Sequence, residues 1–323
     1  MTLSEIIQSV SFSGHESFPL RFAWLTKAVR HLAGDTHLFG REDATVVLGV
    51  GKNMVRAIRH WALRSGMIEP HGESQRGGEY TPTPLGVALF GQDGLDPFLE
   101  EPATVWLVHW QLCSEPSHAY ETRRSPTTWY WVFNELRDET LSLDELPDEL
   151  LKFAERVGAK RLPSRDTVER DVACFVRSYV SAEPDKRTSK EDSYDSPLTD
   201  LSLLRREPES NRVVLDRGRR PTLTASVFAY AVWCFWQRVS PASETLSFEQ
   251  IAYQATGPGQ VFRLTENACV ELLESMEEYT KGQLRFGRTS GVRQVLRSTS
   301  DLRATDLLLR GYGRRGRKEI ARA

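Results

Sequence analysis

The chain has 323 residues, of which 40% are hydrophobic and 27% charged, the composition of a soluble globular protein with two or three domains. Its formal net charge of -2 excludes a chain that is polycationic as a whole. No apolar stretch reaches membrane-spanning length and no secretory signal begins the sequence, so we expect a cytoplasmic protein without a membrane partner.

Charge is unevenly distributed along the chain. Residues 92–155 carry 14 acidic and 4 basic side chains, whereas residues 281–323 carry 12 basic and 3 acidic ones. This segregation favours a basic surface that binds a polyanion. The four cysteines are far apart and lack metal-ligand spacing, which predicts buried, reduced thiols and no metal site; they are Cys113, Cys174, Cys234 and Cys269.

Near the start of the chain, residues 12–19 have an alternating apolar pattern, which predicts an edge strand that leads into a helix over residues 21–32. His15 and Glu16 form the only early pair with general acid–base or metal-binding potential. A structural role, such as capping of that helix, is the favoured alternative to chemistry at this pair.

Residues 52–64 are the most informative stretch, because at 100° per residue they divide into an apolar face and a cationic face. A shorter helix precedes them across a turn that contains Gly49 and Gly51, which is the helix-turn-helix arrangement. The apolar face holds Val55, Ile58 and Ala62. The cationic face, for which we predict contacts with DNA, holds Lys52, Arg56 and Arg59, flanked by Asn53, His60 and Arg64.

Two short strands follow this helix, at residues 67–70 and 79–83, and the turn between them contains Arg76. A β-hairpin in this position is typical of a winged helix, so we interpret residues 1–91 as an N-terminal winged-helix DNA-binding domain. The alternative is a winged helix that packs only against protein. The number of cations on one helix face argues against that alternative.

Residues 92–180 contain amphipathic and apolar helices and predict a second, helical, winged-helix-like domain. The tryptophans of its apolar helices are expected in the core rather than stacked on bases. Residues 181–196 are polar and predict a linker. Within this linker, Asp192 and Asp195 could bind a divalent cation, although two carboxylates in a loop are usually only solvated.

Residues 197–323 predict a C-terminal helical, winged-helix-like domain that ends in a basic tail. Two candidate strands near its end alternate arginines with apolar residues, so strand geometry is expected to place Arg285, Arg288 and Arg293 on one face. We predict that these arginines also contact DNA. The resulting fold class is mainly α with small β-wings, that is, an α+β protein built from tandem winged-helix-like units.

Several motifs together resemble a bacterial family of unknown domain function, the SspB-like family of the single-strand DNA phosphorothioation (Ssp) system. The most distinctive motif is the turn of Gly51, Lys52 and Asn53. The resemblance implies partnership with a cysteine desulfurase, an ATPase and an ATP pyrophosphatase, and nicking of one DNA strand so that sulfur can be installed. It carries over no catalytic residue. The motifs occupy residues 13–21, 48–55, 58–61, 96–104 and 196–199.

The leading hypothesis is therefore a component of a DNA phosphorothioation and anti-phage defence complex that binds double-stranded DNA and nicks one strand. Its cofactor is left open, since a nickase could use a divalent cation, and its weak catalytic candidates are His15 with Glu16 and Asp192 with Asp195. The alternatives are a non-catalytic winged-helix adaptor or transcriptional regulator, and a scaffold that binds only protein. The sequence leaves open whether the chain forms a homodimer.

Overall fold

The computed structural model shows helices combined with short antiparallel strands, which confirms the predicted α+β class. The backbone forms two compact units: one of Met1–Val132 and Leu136–Leu215, the other of Phe133–Glu135 and Asp216–Ala323. Within the described ranges, none of the helices is both long and apolar enough to cross a bilayer. The structure describes residues 10–72, 78–114, 125–159, 161–181, 196–289, 291–298 and 302–313.

From residue 10 onward, where the described part of the first unit begins, three α-helices and a strand pair are followed by a fourth α-helix. Helix α3 buries Val55, Ile58 and Trp61 against α1, since these side chains recur at helical spacing. Gly49 ends α2 in the left-handed conformation, with φ of 62°, and lets the chain turn into α3. The elements are α1 (Trp24–Leu32), α2 (Ala44–Leu48), α3 (Lys52–Arg64), β1 (Ile68–Pro70), β2 (Tyr80–Pro82) and α4 (Pro84–Phe90).

Strands β1 and β2 are antiparallel, with Ile68 opposite Pro82 and Pro70 opposite Tyr80. The next helix, α4, starts at once, because the side chain of Thr83 caps it by accepting a hydrogen bond from the backbone of Gly86. Gly86 lets α4 lie close to the backbone of Met67, since a Cβ atom at this position would lie 2.1 Å from the carbonyl oxygen of Met67.

The rest of the first unit consists of helices and a small three-stranded sheet of strand order β3-β5-β4. Its tryptophans Trp106, Trp110 and Trp129 are buried, which confirms the expectation that they belong to the core. In the sheet, Val213 lies opposite both Leu141 and Arg206. The elements are α5 (Pro102–Cys113), α6 (Thr127–Asn134), β3 (Thr140–Ser142), α7 (Leu146–Arg156), α8 (Arg165–Tyr179), β4 (Arg205–Arg206) and β5 (Arg212–Val214).

The second unit packs helices against a sheet of strand order β6-β8-β7. Ser247 and Gln250 form a reciprocal capping box that starts α10 directly after β6. The elements are α9 (Ala225–Val239), β6 (Thr245–Ser247), α10 (Phe248–Tyr253), α11 (Pro258–Val261), α12 (Glu266–Tyr279), β7 (Leu284–Thr289), β8 (Val292–Arg297) and α13 (Ala304–Leu309).

The four cysteines are free thiols, and three of them are buried, while Cys234 is partly exposed. Burial raises the pKa of the Cys269 thiol to about 12 and raises that of Cys113 well above its ordinary range. Thiols with such pKa values are poor nucleophiles, as expected for cysteines that act as core residues.

Candidate nucleic-acid interface

The predicted cationic face of α3 is present on the surface of the first unit. Lys52 and Arg56 are exposed and Arg59 is half-buried. Their spacing of four and three residues places them on one side of the helix. The side chains of Lys52 and Arg59 make no hydrogen bond or ion pair with any described residue, and that of Lys52 faces solvent. Asn53 is also exposed, one residue after Lys52.

The N-terminus of α3 adds to this positive potential. Gly51 precedes the helix, no side chain caps it, and its first turn contains no acidic residue. The free backbone N–H groups and the helix dipole therefore favour an anion at the end that carries Lys52. A Cβ atom on Gly51 would meet nothing within 4 Å, which shows that this end of the helix is open.

Two residues predicted to flank the cationic face lie elsewhere. His60 is only 7% exposed, against Gly14, where an added Cβ atom would lie 2.6 Å from Nδ1 of His60. Burial, followed by the charge of Arg64, lowers the pKa of His60 well below its ordinary range. Arg64 is half-buried and donates from Nη2 to Oγ of Ser11, at 3.0 Å. Helical periodicity could not reveal the segment that covers this side of α3.

That covering segment is a tight turn and not the predicted edge strand. The backbone N–H of Phe18 donates to the carbonyl oxygen of His15 at 2.8 Å, and the two residues between them have φ of 49° and 63°. Positive φ at both central positions defines a type I′ turn. Because Glu16 and Ser17 are not glycine, each costs of order 1–3 kcal/mol in this conformation, and the surrounding structure must hold them there.

His15 holds the turn from beneath. Its Nδ1 accepts from the backbone N–H of Ser17 at 3.0 Å, so its Nε2 carries the proton and donates to Oδ1 of Asp171 on α8, at 2.7 Å. The other carboxylate oxygen of Asp171 accepts from the Thr128 hydroxyl. His15 is 3% exposed and its ring stacks on Trp61. It does not cap α1, which starts at Trp24 without a side-chain cap.

The turn presents Glu16 and Ser17 between two exposed arginines. Oε1 of Glu16 lies 3.6 Å from Nη1 of Arg56 on α3. The carbonyl oxygen of Ser17 accepts from Nη2 of Arg177 on α8, at 2.5 Å. A single turn thus links the cationic face of α3 to a second cation. No local pattern predicts the place of Arg177 beside the turn, because Arg177 lies on a helix whose outer face is mixed in sign.

The arginines of β7 and β8 do not share one face. Arg285 and Arg288 are three residues apart, and an odd spacing places side chains on opposite faces of a strand. The register puts Arg288 directly opposite Arg293, so these two do share a face. Arg293 is engaged there: its guanidinium pairs with Glu249 and Glu266 and lies 3.9 Å from the ring centroid of Phe248.

The remaining predicted site residues, Arg76, Asp192 and Asp195, lie outside the described residues. Within the described part of the chain, no group of three or more histidine, cysteine, aspartate or glutamate side chains is placed to hold a metal ion.

Comparison with known proteins places the chain in a family. Residues 12–312 match the family described as "Protein of unknown function (DUF4007)". The chain belongs to this family. It is also similar to two solved structures of SspB. One is 28% identical with a TM-score of 0.83, covering 98% of this chain and 95% of the other. The second, of SspB with a bound magnesium ion, is 26% identical with a TM-score of 0.81 and full coverage of both chains. No curated protein matches.

Proposed function

We propose that this DUF4007 protein binds double-stranded DNA through the cationic face of α3, as a component of a DNA phosphorothioation system. The observation that carries the proposal is the exposure of Lys52 and Arg56 on one side of α3, with Arg59 beside them. Among the described residues, the side chains of Lys52 and Arg59 have no anionic partner. The likeness to SspB over the whole chain supports the assignment to such a system.

In this proposal α2 and α3 act as a helix-turn-helix, with α3 in the major groove, and β1 and β2 act as the wing. The N-terminal residues of a recognition helix contact base edges, and Asn53 has the side chain suited to adenine. Lys52, Arg56 and Arg59 contact phosphates or guanine edges. For Arg76, which lies between β1 and β2 in the sequence, we propose a further contact with the DNA backbone.

Fluorescence anisotropy on a labelled duplex tests this function. The double variant Arg56→Glu with Arg59→Glu is expected to lose duplex binding while keeping the wild-type circular dichroism spectrum. Wild type should show a log–log salt slope of roughly -3 to -5, from three to five phosphate contacts. The matched control reverses two other exposed arginines of the same unit, Arg156→Glu with Arg161→Glu, and should retain binding. Unchanged affinity in the first variant would refute the proposed interface.

We further propose, from the family resemblance, that the protein nicks one DNA strand. Of the candidates within the described residues, Glu16 is the one whose carboxylate reaches the cationic face. A supercoiled plasmid, incubated with and without Mg²⁺ or Mn²⁺, should convert to open circle, and the Glu16→Gln or Asp195→Asn variant should lose that activity if its carboxylate serves in cleavage. Co-purification with a cysteine desulfurase, an ATPase and an ATP pyrophosphatase tests the proposed partners.

A second candidate function is a DNA-binding adaptor without chemistry of its own. One observation favours it: both ring nitrogens of the buried His15 are engaged in hydrogen bonds, with Ser17 and Asp171, which is the geometry of a structural histidine. Duplex binding without plasmid conversion under either metal would support the adaptor and refute the nickase.

A further inference from the structure

A groove in the first unit lies between α8 and the β3-β5-β4 sheet. Its volume is about 320 Å³, at the lower end of the range for small-ligand sites, roughly 300–1,000 Å³. Val172, Ala173 and Val176, which recur at helical spacing along α8, give it an apolar wall. Leu143 and Pro147 complete the apolar lining.

Two exposed arginines, Arg177 on α8 and Arg206 on β4, stand at the polar end of this groove. The side chain of Arg206 makes no hydrogen bond or ion pair with any described residue, while its backbone pairs with Val213 in the sheet. The one carboxylate in the lining, Glu169, already accepts from Nε of Arg165 at 2.8 Å, which reduces its repulsion of an anion. The groove therefore combines an apolar wall with two cations for which it offers no anionic partner.

A second, more polar groove of about 780 Å³ adjoins the first and shares Val176, Arg177 and Arg206 with it. Glu207 and Glu209 line it, and the Glu207 carboxylate accepts from the Ser210 hydroxyl at 2.9 Å. Since these carboxylates repel phosphate, a bound anion is confined to the boundary between the two grooves, where both arginines stand.

The groove is connected to the cationic face of α3 by direct contacts. Arg177 binds the carbonyl oxygen of Ser17, and the preceding residue, Glu16, contacts Arg56. A DNA strand that leaves α3 at Arg56 therefore meets Arg177 after passing a two-residue turn. This continuity, with the charge complementarity, identifies the occupant as nucleic acid.

We propose that the groove holds one unpaired nucleotide of the DNA bound by α3. Its base lies against Val172 and Val176, and its phosphate lies between Arg177 and Arg206. The apolar wall suits the π-face that every base presents, so the site is tolerant of sequence. A volume of about 320 Å³ accommodates a single nucleotide and not a duplex. This inference rests on the proposed DNA binding and adds a preference for DNA that carries a single-stranded segment.

The test compares the full-length chain on two labelled DNAs, an uninterrupted duplex and the same duplex with a short single-stranded tail. Wild type is expected to bind the tailed DNA several-fold more tightly. Arg177→Gln and Arg206→Gln should each remove this preference and reduce the magnitude of the salt slope on tailed DNA by about 0.7. Arg206→Gln should in addition leave duplex affinity unchanged. Ala173→Glu, which places a negative charge at an exposed position in the groove wall, should also remove the preference for tailed DNA without disturbing the core.

The matched control is Arg170→Gln, which removes an exposed arginine from the same helix outside the groove and should keep the preference. A wild-type chain that binds duplex and tailed DNA equally, or a preference that survives all three groove variants, would overturn this inference alone. A wild-type chain that binds neither DNA would overturn the proposed function as well.

Discussion

The cationic face of α3 and the arginines of β7 and β8 show how differently two basic stretches can be used. On α3, Lys52 is exposed and has no anionic partner among the described residues. On β8, Arg293 pairs with two carboxylates and covers an aromatic ring, and Arg297 lies 5.6 Å from the ring centroid of Trp236. A cation that the fold already satisfies adds to stability, while an unsatisfied one is available to a polyanion.

The difference follows from what each element presents to its surroundings. Helix α3 is long enough to separate an apolar face from a cationic one, so packing on α1 leaves the cations outside. In the β7–β8 hairpin, the face that carries Arg288, Arg293 and Arg297 also carries the buried Leu284 and Val295. Arginines at the margin of a packed face lie within reach of neighbouring carboxylates and aromatic rings.

The largest effect is expected from a substitution at Gly14, which packs against His60 of α3. Gly14 has φ of 104°, and an added Cβ atom would lie 2.6 Å from the His60 ring. Gly14→Ala should therefore lower the free energy of unfolding by roughly 2–5 kcal/mol, from backbone strain together with overpacking. Urea denaturation measures it. The control, Gly158→Ala, has φ of 69° but open space around the added atom, and should cost about 1–2 kcal/mol.

The second prediction concerns His60, the residue that burial removes from the cationic face. Because its folded-state pKa is lowered, its contribution to stability is present above the ordinary histidine pKa of about 6.5 and is lost as the pH falls toward the folded value. The unfolding free energy of wild type should fall by up to about 1.4 kcal/mol per pH unit between pH 6.5 and 5. His60→Leu should reduce this dependence of the unfolding free energy on pH. A variant that kept the wild-type pH dependence would contradict the assignment of the effect to His60.

The third prediction tests the contrast between the two regions directly. Lys52→Gln should reduce the magnitude of the salt slope of duplex binding by about 0.9. It should leave the thermal unfolding midpoint unchanged, because the Lys52 side chain has no partner within the described part of the protein. Arg293→Gln should do the opposite, lowering the midpoint by roughly 2–4 °C while duplex affinity is kept. Equal losses of DNA affinity in both variants would contradict the proposed difference between the α3 cations and the arginines of β7 and β8.

The smallest expected effect concerns Glu16. Its carboxylate lies 3.6 Å from Arg56 on the surface that we propose for phosphate, so it repels the ligand and partly neutralises the arginine. Glu16→Gln should raise duplex affinity roughly two- to fivefold, as expected for the loss of an exposed charge interaction. Titration of labelled duplex measures it, with Glu69→Gln, at an exposed site on β1, as the control. A weakened complex would instead indicate that Glu16 contacts DNA.

Local pattern was enough to define α3 and the strand pair that follows it. The helix predicted over residues 52–64 is present as Lys52–Arg64, and the strands predicted at residues 67–70 and 79–83 are present as Ile68–Pro70 and Tyr80–Pro82. Apolar periodicity and a glycine after the helix are short-range signals, so the sequence carries them in full. The expectation that Lys52 and Arg56 lie outside followed from the same periodicity.

The sequence by itself determined the α+β class and the separation of charge from apolar surface along α3, because both depend on residues within a few positions of each other. Only the tertiary structure decided that His60 is covered, that His15 holds a turn by reaching Asp171, and that Arg177 stands next to that turn. His15 and Asp171 are 156 positions apart along the chain. A contact at such a separation depends on how whole elements pack, and no local spacing of residue types encodes it.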